Sequence, residues 1–318
     1  MKKLIALLLV AMMVLGLFAG CKKDGKAKYT VGICQLVQHD ALDAATQGFM
    51  DALKEELGED AVKFDLQNAA GDTNTCATIV NDFVSNDVDL IMANATPALQ
   101  AAANATKDIP ILGTSVTEYG VALGIDNFNG LVGTNVSGTS DLAPLDRQAA
   151  MVKEWFPEAK NVGLLYCSAE ANSKYQVEEV AKMLEKEGYT CEMYSFADTN
   201  DLPAVAEQCN AESDVIYIPT DNTAASAADI IGSKCESTPI IAGESGICKG
   251  CGVATLSINY YDLGVATGKM AAKILKGEAK ISEMKIEYVD ESTLKYRYNK
   301  AICDKLGLTP PANYEELK

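Results

Sequence analysis

The 318-residue chain carries 27 Lys and Arg against 44 Asp and Glu, a net charge of −17, and 48% of its residues are hydrophobic. That length and composition suit two globular domains and exclude whole-chain disorder and collagen-like structure. The acidic balance, with no basic cluster in the body of the chain, argues against a nucleic-acid partner. A single histidine, His39, leaves no basis for a multi-histidine metal site or a histidine proton relay, and no metal or cofactor is expected.

In chain order, Lys2 and Lys3 precede an apolar run at residues 4–18, interrupted only by Gly16. The run falls short of the roughly 20 residues that span a bilayer and fits the h-region of a secretory signal peptide. It ends in Leu17-Phe18-Ala19-Gly20-Cys21, small residues before a cysteine that resemble a bacterial lipobox. Residues 1–20 are therefore expected to be a signal peptide, Cys21 the lipidated residue, and residues 21–28 a polar, partly basic tether. Two basic residues leave with the leader, so −17 becomes −19. Several acyl chains on Cys21 would hold the protein firmly at a membrane surface.

From Tyr29 the pattern alternates between short β-rich runs and helical spacing. Strands are predicted at residues 29–36, 62–69, 88–93 and 109–112. Helices fall between them, at 41–57, 75–85 and 97–106. The alternation then restarts: helices at 143–156, 173–188, 201–209 and 222–232, and strands at 161–167, 190–196, 214–219 and 239–243. A strand-like run at 253–259 and a helix at 260–277 follow, then two strands within 284–299 and a last helix at 300–308. Such alternation implies βαβ units on parallel sheets. The fold class is α/β, with two Rossmann-like lobes and chain crossings between them. One lobe is expected from 29–142 plus about 260–280, the other from 143–259 plus about 281–318. Open α/β sheets bind ligands beyond the carboxyl ends of their strands, so two facing sheets would enclose a ligand in the cleft.

There are 10 cysteines; without Cys21 the remaining nine are odd in number. Several, such as Cys34 and Cys167, sit in strand-like runs and read as small core residues. Cys248 and Cys251 form the one close pair, flanked by Gly246 and Gly252; a local disulfide staple, two free thiols, redox chemistry and a metal site all remain open for it. No GxSxG, Walker A, HExxH or paired CxxC pattern marks an enzyme.

The stretches QHDALDAATQGFMDAL (38–53), QNAAGDTNT (67–75), VDLIMANATPALQAAANATKDIPIL (88–112), EANSKYQVEEV (170–180), IYIPTDNT (216–223) and INYYDLGVATGKMAAKILKGE (258–278) carry a resemblance in their order and spacing. The chain resembles bacterial ABC-transporter substrate-binding lipoproteins of the tryptophan/tyrosine-binding type, with a type I periplasmic-binding-protein fold. The resemblance implies a ligand cleft between lobes, a small-molecule ligand such as an aromatic amino acid, and a permease with its ATPase as partners. It also implies an extracytoplasmic place on the cell membrane. The same clamp also serves nucleosides, sugars or surface adhesion, since fold does not fix function.

Candidate ligand residues lie where strands give way to helices, and each has a plain structural alternative. His39, Leu42 and Asp43 follow the first strand; His39 would bond or stack on a flat ligand, or cap the helix, and Asp43 would cap it. Thr96 and Pro97 open a helix whose free N–H groups suit a carboxylate, and Ser115 and Thr117 would add hydroxyls. Asn172 would reach the cleft or cap. Asp221 would accept from an α-ammonium group, with Asn222 and Thr223 beside it, or serve only as an N-cap. Glu244 is a second acidic candidate. Of Tyr260 and Tyr261, one would stack on an aromatic ligand and the other pack between domains; Tyr260 is the candidate.

Overall fold

The computed structural model describes residues 27–318. The signal peptide, Cys21 and nearly all of the tether lie outside them. Among the described residues no helix is long and apolar enough to cross a membrane.

The first sheet is built from β1 (Tyr29–Gln35), β2 (Val62–Asn68), β3 (Leu90–Asn94), β4 (Ile111–Val116) and β5 (Val136–Ser140), all parallel, in the order β5-β4-β3-β1-β2. The second repeats the plan with β6 (Asn161–Cys167), β7 (Thr190–Phe196), β8 (Val215–Ile218), β9 (Ile240–Ala242) and β10 (Ala254–Ser257), ordered β10-β9-β8-β6-β7. In each sheet the strand order reverses at the first strand, β1 or β6. That reversal opens a crevice at the carboxyl ends, where ligands of α/β sheets bind. β3, LIMAN, is buried along its whole length, because parallel strands are covered on both faces.

Helices α1 (Asp40–Leu57), α2 (Thr73–Ser85), α3 (Thr96–Ala105) and α4 (Tyr119–Leu123) connect the first sheet. The second sheet is connected by α5 (Leu145–Trp155), α6 (Ala171–Lys186), α7 (Leu202–Glu212), α8 (Asn222–Ser226), α9 (Ala228–Lys234) and α10 (Ser245–Gly250). Each lobe has a core on both faces of its sheet, with Phe49, Phe83, Ile91 and Met92 fully buried in the first and Leu164, Phe196, Tyr217 and Ile231 in the second.

After β10 the chain returns to the first lobe as α11 (Tyr260–Leu275), which lies against α1. The two backbones touch. A Cβ on Gly264 would sit 2.0 Å from the carbonyl oxygen of Ala45, and one on Gly48 would sit 2.1 Å from that of Tyr261. The chain then forms β11 (Glu287–Tyr288), recrosses, and ends with β12 (Lys295–Tyr298), α12 (Lys300–Leu306) and β13 (Glu315–Glu316).

β11 corrects the expected boundary. It pairs with β5 at the edge of the first sheet, Ile286 is buried in the first core, and Ile281 and Met284 pack against it. Residues 281–288 therefore belong to the first lobe, and the last crossing falls between Tyr288 and Lys295. β12, by contrast, pairs antiparallel with β10 in the second sheet. Alternation marks both as strands but carries no record of which sheet each joins. The helix expected at 222–232 is split at Ala227, whose φ of −121° leaves the helical range. The region around Cys248 and Cys251 is a short helix, and the Cys248 thiol donates to the Gly252 carbonyl, that of Cys251 to Ile247.

Candidate functional site

The carboxyl ends of β1, β2 and β3 meet those of β6, β7 and β8 across the interlobe crevice. On the first-lobe side, Ala95 (φ +94°) and Ser115 (φ +53°) both adopt left-handed backbone without being glycine. Ser115 lies where the β4–β5 register slips between Gly113 and Val116. Strained backbone of this kind concentrates at functional sites. Between them begins α3, whose N-cap is Ala95, so no side chain caps its first N–H groups. An uncapped, buried helix start leaves N–H groups that suit an anion. Two buried hydroxyls stand beside it without a partner, Thr96 Oγ1 (1% exposed) and Ser115 Oγ (4% exposed). Asn94 is fully buried, donates to the Leu42 carbonyl (2.8 Å) and Thr46 Oγ1 (2.9 Å), and leaves Oδ1 free.

Buried acceptors without donors are also present. Asp141 follows β5 at the first crossing and is buried. Tyr260 donates to its Oδ2 (2.8 Å), while Oδ1 has no partner. Burial pushes the Asp141 carboxyl up to about 6, with the Glu244 charge adding and the Tyr260 and Thr117 hydroxyls holding it down. From the second lobe, Asn172 donates to the Thr220 carbonyl (3.1 Å) and leaves Oδ1 buried and free. Native interiors rarely leave such groups unpaired, and these lie at the strand-to-helix ends of both lobes.

The lobes touch around this space. His39, at the N-cap of α1, places Nε2 3.3 Å from Asn222 Oδ1 across the cleft. Asn222 Nδ2 donates to Glu170 (2.6 Å), so its Oδ1 is left to accept and His39 Nε2 carries the hydrogen; Nδ1 is buried and free. Lys249 pairs with Asp40 at 3.0 Å, also between lobes, and α3 and α4 touch α6. A crevice of about 230 Å³ lies at the junction, walled by Leu36, Val37 and Pro97 from one lobe and Cys167, Ala169 and Thr223 from the other.

Several sequence candidates have other duties. Asp221 is an N-cap: Oδ1 accepts from Ala224 N (2.8 Å) and Oδ2 from Cys167 N (2.7 Å), so the expected ammonium acceptor has its two oxygens engaged by backbone. Burial first, and the Glu170 charge second, push its carboxyl up to about 7. Glu244 caps α10 through Gly246 N (2.7 Å) and Ile247 N. Thr223 gives its N–H and hydroxyl to Glu170 (2.8 Å each) and still lines the crevice. Leu42 belongs to the first core. Asp43 is exposed on α1 and accepts from Gln35 (2.7 Å). Tyr260 is a buried hydroxyl donor to Asp141. Tyr261 is 41% exposed and bonds Asp51 (3.1 Å). Thr117 is buried with its hydroxyl beside Asp141. Asn94, Asp141 and Glu170 escaped sequence reasoning; each sits at or just after the end of a strand, the one signal that was present.

The family described as ABC transporter substrate binding protein matches residues 30–315. A curated tyrosine-binding protein of Clostridioides difficile is 34% identical over 310 residues, covering 92% of this chain and 89% of its own. A Streptococcus pneumoniae structure described as an ABC domain in complex with L-Trp is 35% identical. It superposes with a TM-score of 0.86 over 91% of this chain and 99% of its own. The ligand-free, open structure of a Clostridium difficile substrate binding protein with adhesive properties is 38% identical. It reaches only 0.67 over 91% of this chain and 100% of its own. The more identical relative, which is the open and ligand-free one, fits this chain less well. With this fold, this cleft and this match over nearly the whole chain, the protein belongs to the ABC transporter substrate-binding protein family.

Proposed function

We propose that this protein captures an aromatic amino acid outside the cytoplasm and delivers it to the permease and ATPase of an ABC importer. We further propose that lipid on Cys21 holds it at the membrane. The observation that carries the ligand reading is the polarity of the unpartnered groups. Hydroxyl donors at Thr96 and Ser115, beside an uncapped helix start, suit a carboxylate. The free oxygens of Asp141 and Asn172 suit an ammonium group. A zwitterion needs both, a fixed distance apart; a sugar needs neither charge. The apolar walls at Leu36, Val37 and Pro97 suit the side chain, and the ligands named for relatives at 30% identity or more are aromatic amino acids.

Paired and hydrogen-bonded, a buried charge contact is favourable; unpaired, it is costly. The site therefore favours a ligand bearing both charges, and closure removes it from water. A thermal-shift screen tests this. A ligand at 100 times its Kd stabilises the folded state by about 2.7 kcal/mol. Tryptophan, tyrosine or phenylalanine is expected to raise the melting temperature, and pentoses and hexoses are not. A shift with sugars alone overturns the reading.

A further inference from the structure

The nine described cysteines are all free thiols, yet they fall into two kinds. Seven have an oxygen partner of their own: Cys167 donates to Ala197 O, Cys191 to Ala181 O, Cys235 to Ala206 O, Cys248 to Gly252 O, Cys251 to Ile247 O and Cys303 to Val253 O, while Cys209 meets the Ser213 hydroxyl. Cys34 and Cys76 have none, and both are fully buried in the same core.

The architecture brings these two together. Cys34 lies on β1, two residues after Gly32 and therefore on the same face. Cys76 lies on the buried stripe of α2 with Ile79, Val80 and Phe83. α2 runs back along β1. At one end Phe83 covers Gly32 so closely that a Cβ there would be 2.6 Å from its ring. At the other end Gly71 N donates to Leu36 O (2.8 Å). Cys34 falls midway between Gly32 and Leu36, and Cys76 falls between Gly71 and Phe83. The thiols perturb each other in opposite senses, as neighbours sharing a hydrogen bond do: Cys34 is pushed up and Cys76 down, each chiefly by the other.

We propose that Cys34 and Cys76 form a disulfide when the chain folds in an oxidising compartment. The oxidant is a disulfide donor, protein or glutathione. The Cys76 thiolate attacks one donor sulfur and expels the other as a thiolate. The Cys34 thiolate then attacks the Cys76 sulfur of the mixed disulfide and releases the second. Two thiols lose two protons and two electrons, and the donor disulfide becomes two thiols. Because both sulfurs end up inside the core, exchange takes place before the lobe closes. The bond would tie β1, which leads into the cleft at His39, to α2, whose N-cap Asp72 and first residue Thr73 line the crevice. This inference stands apart from the identity of the ligand.

The test is a peptide map of the full chain in mild detergent, refolded in a glutathione and glutathione-disulfide buffer, alkylated and digested. One linked pair, Cys34 with Cys76, is expected, with the seven other described cysteines alkylated. Dithiothreitol is then expected to lower the melting temperature by about 5–10 °C in the native sequence and to leave the Cys34→Ala/Cys76→Ala variant unmoved. Alkylation of both Cys34 and Cys76 in the refolded protein, or links formed among second-lobe cysteines instead, overturns the proposal. The map needs no variant, so a double variant that folds poorly does not blunt it.

Discussion

Asp141 has one oxygen held by Tyr260 and one held by nothing, in a site where burial already raises its pKa to about 6. An ammonium group beside the free oxygen would relieve both conditions. Asp141→Asn is therefore expected to weaken amino-acid binding about 100-fold, the scale of truncating one partner of a buried charge pair, as read by calorimetry. Asp221→Asn leaves the ammonium contact alone and is expected to act on stability, through its two backbone bonds. The pH dependence has a definite sign. Below about 6 Asp141 holds its proton and loses its attraction for a cation, so affinity falls as pH drops from 7.5 to 5. Its contribution to the stability of the unliganded protein runs the other way. Because the folded pKa is raised, that contribution is full below the unfolded value of about 3.9 and is lost as pH rises through about 6. Affinity and unliganded stability moving in the same direction through that window would remove Asp141 from the site.

At the scale of elements, α11 fixes which lobe the returning chain joins, and its glycines are the reason. Gly264 and Gly268 let α11 settle on the backbone of α1 at Ala45 and Phe49. Backbone atoms cannot step aside, so Gly264→Val is expected to cost about 3 kcal/mol, at the upper end of overpacking effects, measured by the urea midpoint. An unchanged midpoint would mean that the helices are not in contact in solution. This level of structure was largely legible in the sequence. Strands such as β1 and β3 and helices such as α1 and α6 carry apolar spacing strong enough to name them. What was missed has physical causes. β5 reads VSGTS, short and polar, because its buried hydroxyls bond to the Thr114 and Thr267 hydroxyls and the Met284 carbonyl. A strand satisfied by such bonds has no hydrophobic signature, and Asp141, which depends on it for position, was hidden with it. Asp221 stayed open for a related reason: an acidic residue after a strand looks the same whether it caps a helix or meets a ligand, and its bonds to Ala224 and Cys167 show the cap.

For the whole molecule, the question is what keeps the lobes together. The direct bridges among the described residues are few: an exposed Lys249–Asp40 pair, worth at most about 1 kcal/mol, one long His39–Asn222 bond, and the contacts of α3 and α4 with α6 and of α10 with α1. Against them stand buried Asp141, Asn172, Thr96 and Ser115 atoms without partners, each of which closure without a ligand deprives of water. The closed form therefore needs a ligand to be dominant, and a ligand shifts the balance only by binding that form better. Small-angle scattering is expected to give a larger radius of gyration for the unliganded protein than for the protein saturated with tryptophan or tyrosine. His39 contributes to the closed form alone, since its partner lies on the other lobe. His39→Ala is then expected to speed ligand dissociation about 3- to 10-fold, the worth of one hydrogen bond, and to leave association and the unliganded melting temperature nearly unchanged. Stopped-flow fluorescence separates the two rates. If the loss appears in association instead, His39 acts on ligand entry and not as a latch, and a radius of gyration unmoved by a ligand that binds would mean that the lobes do not close around it.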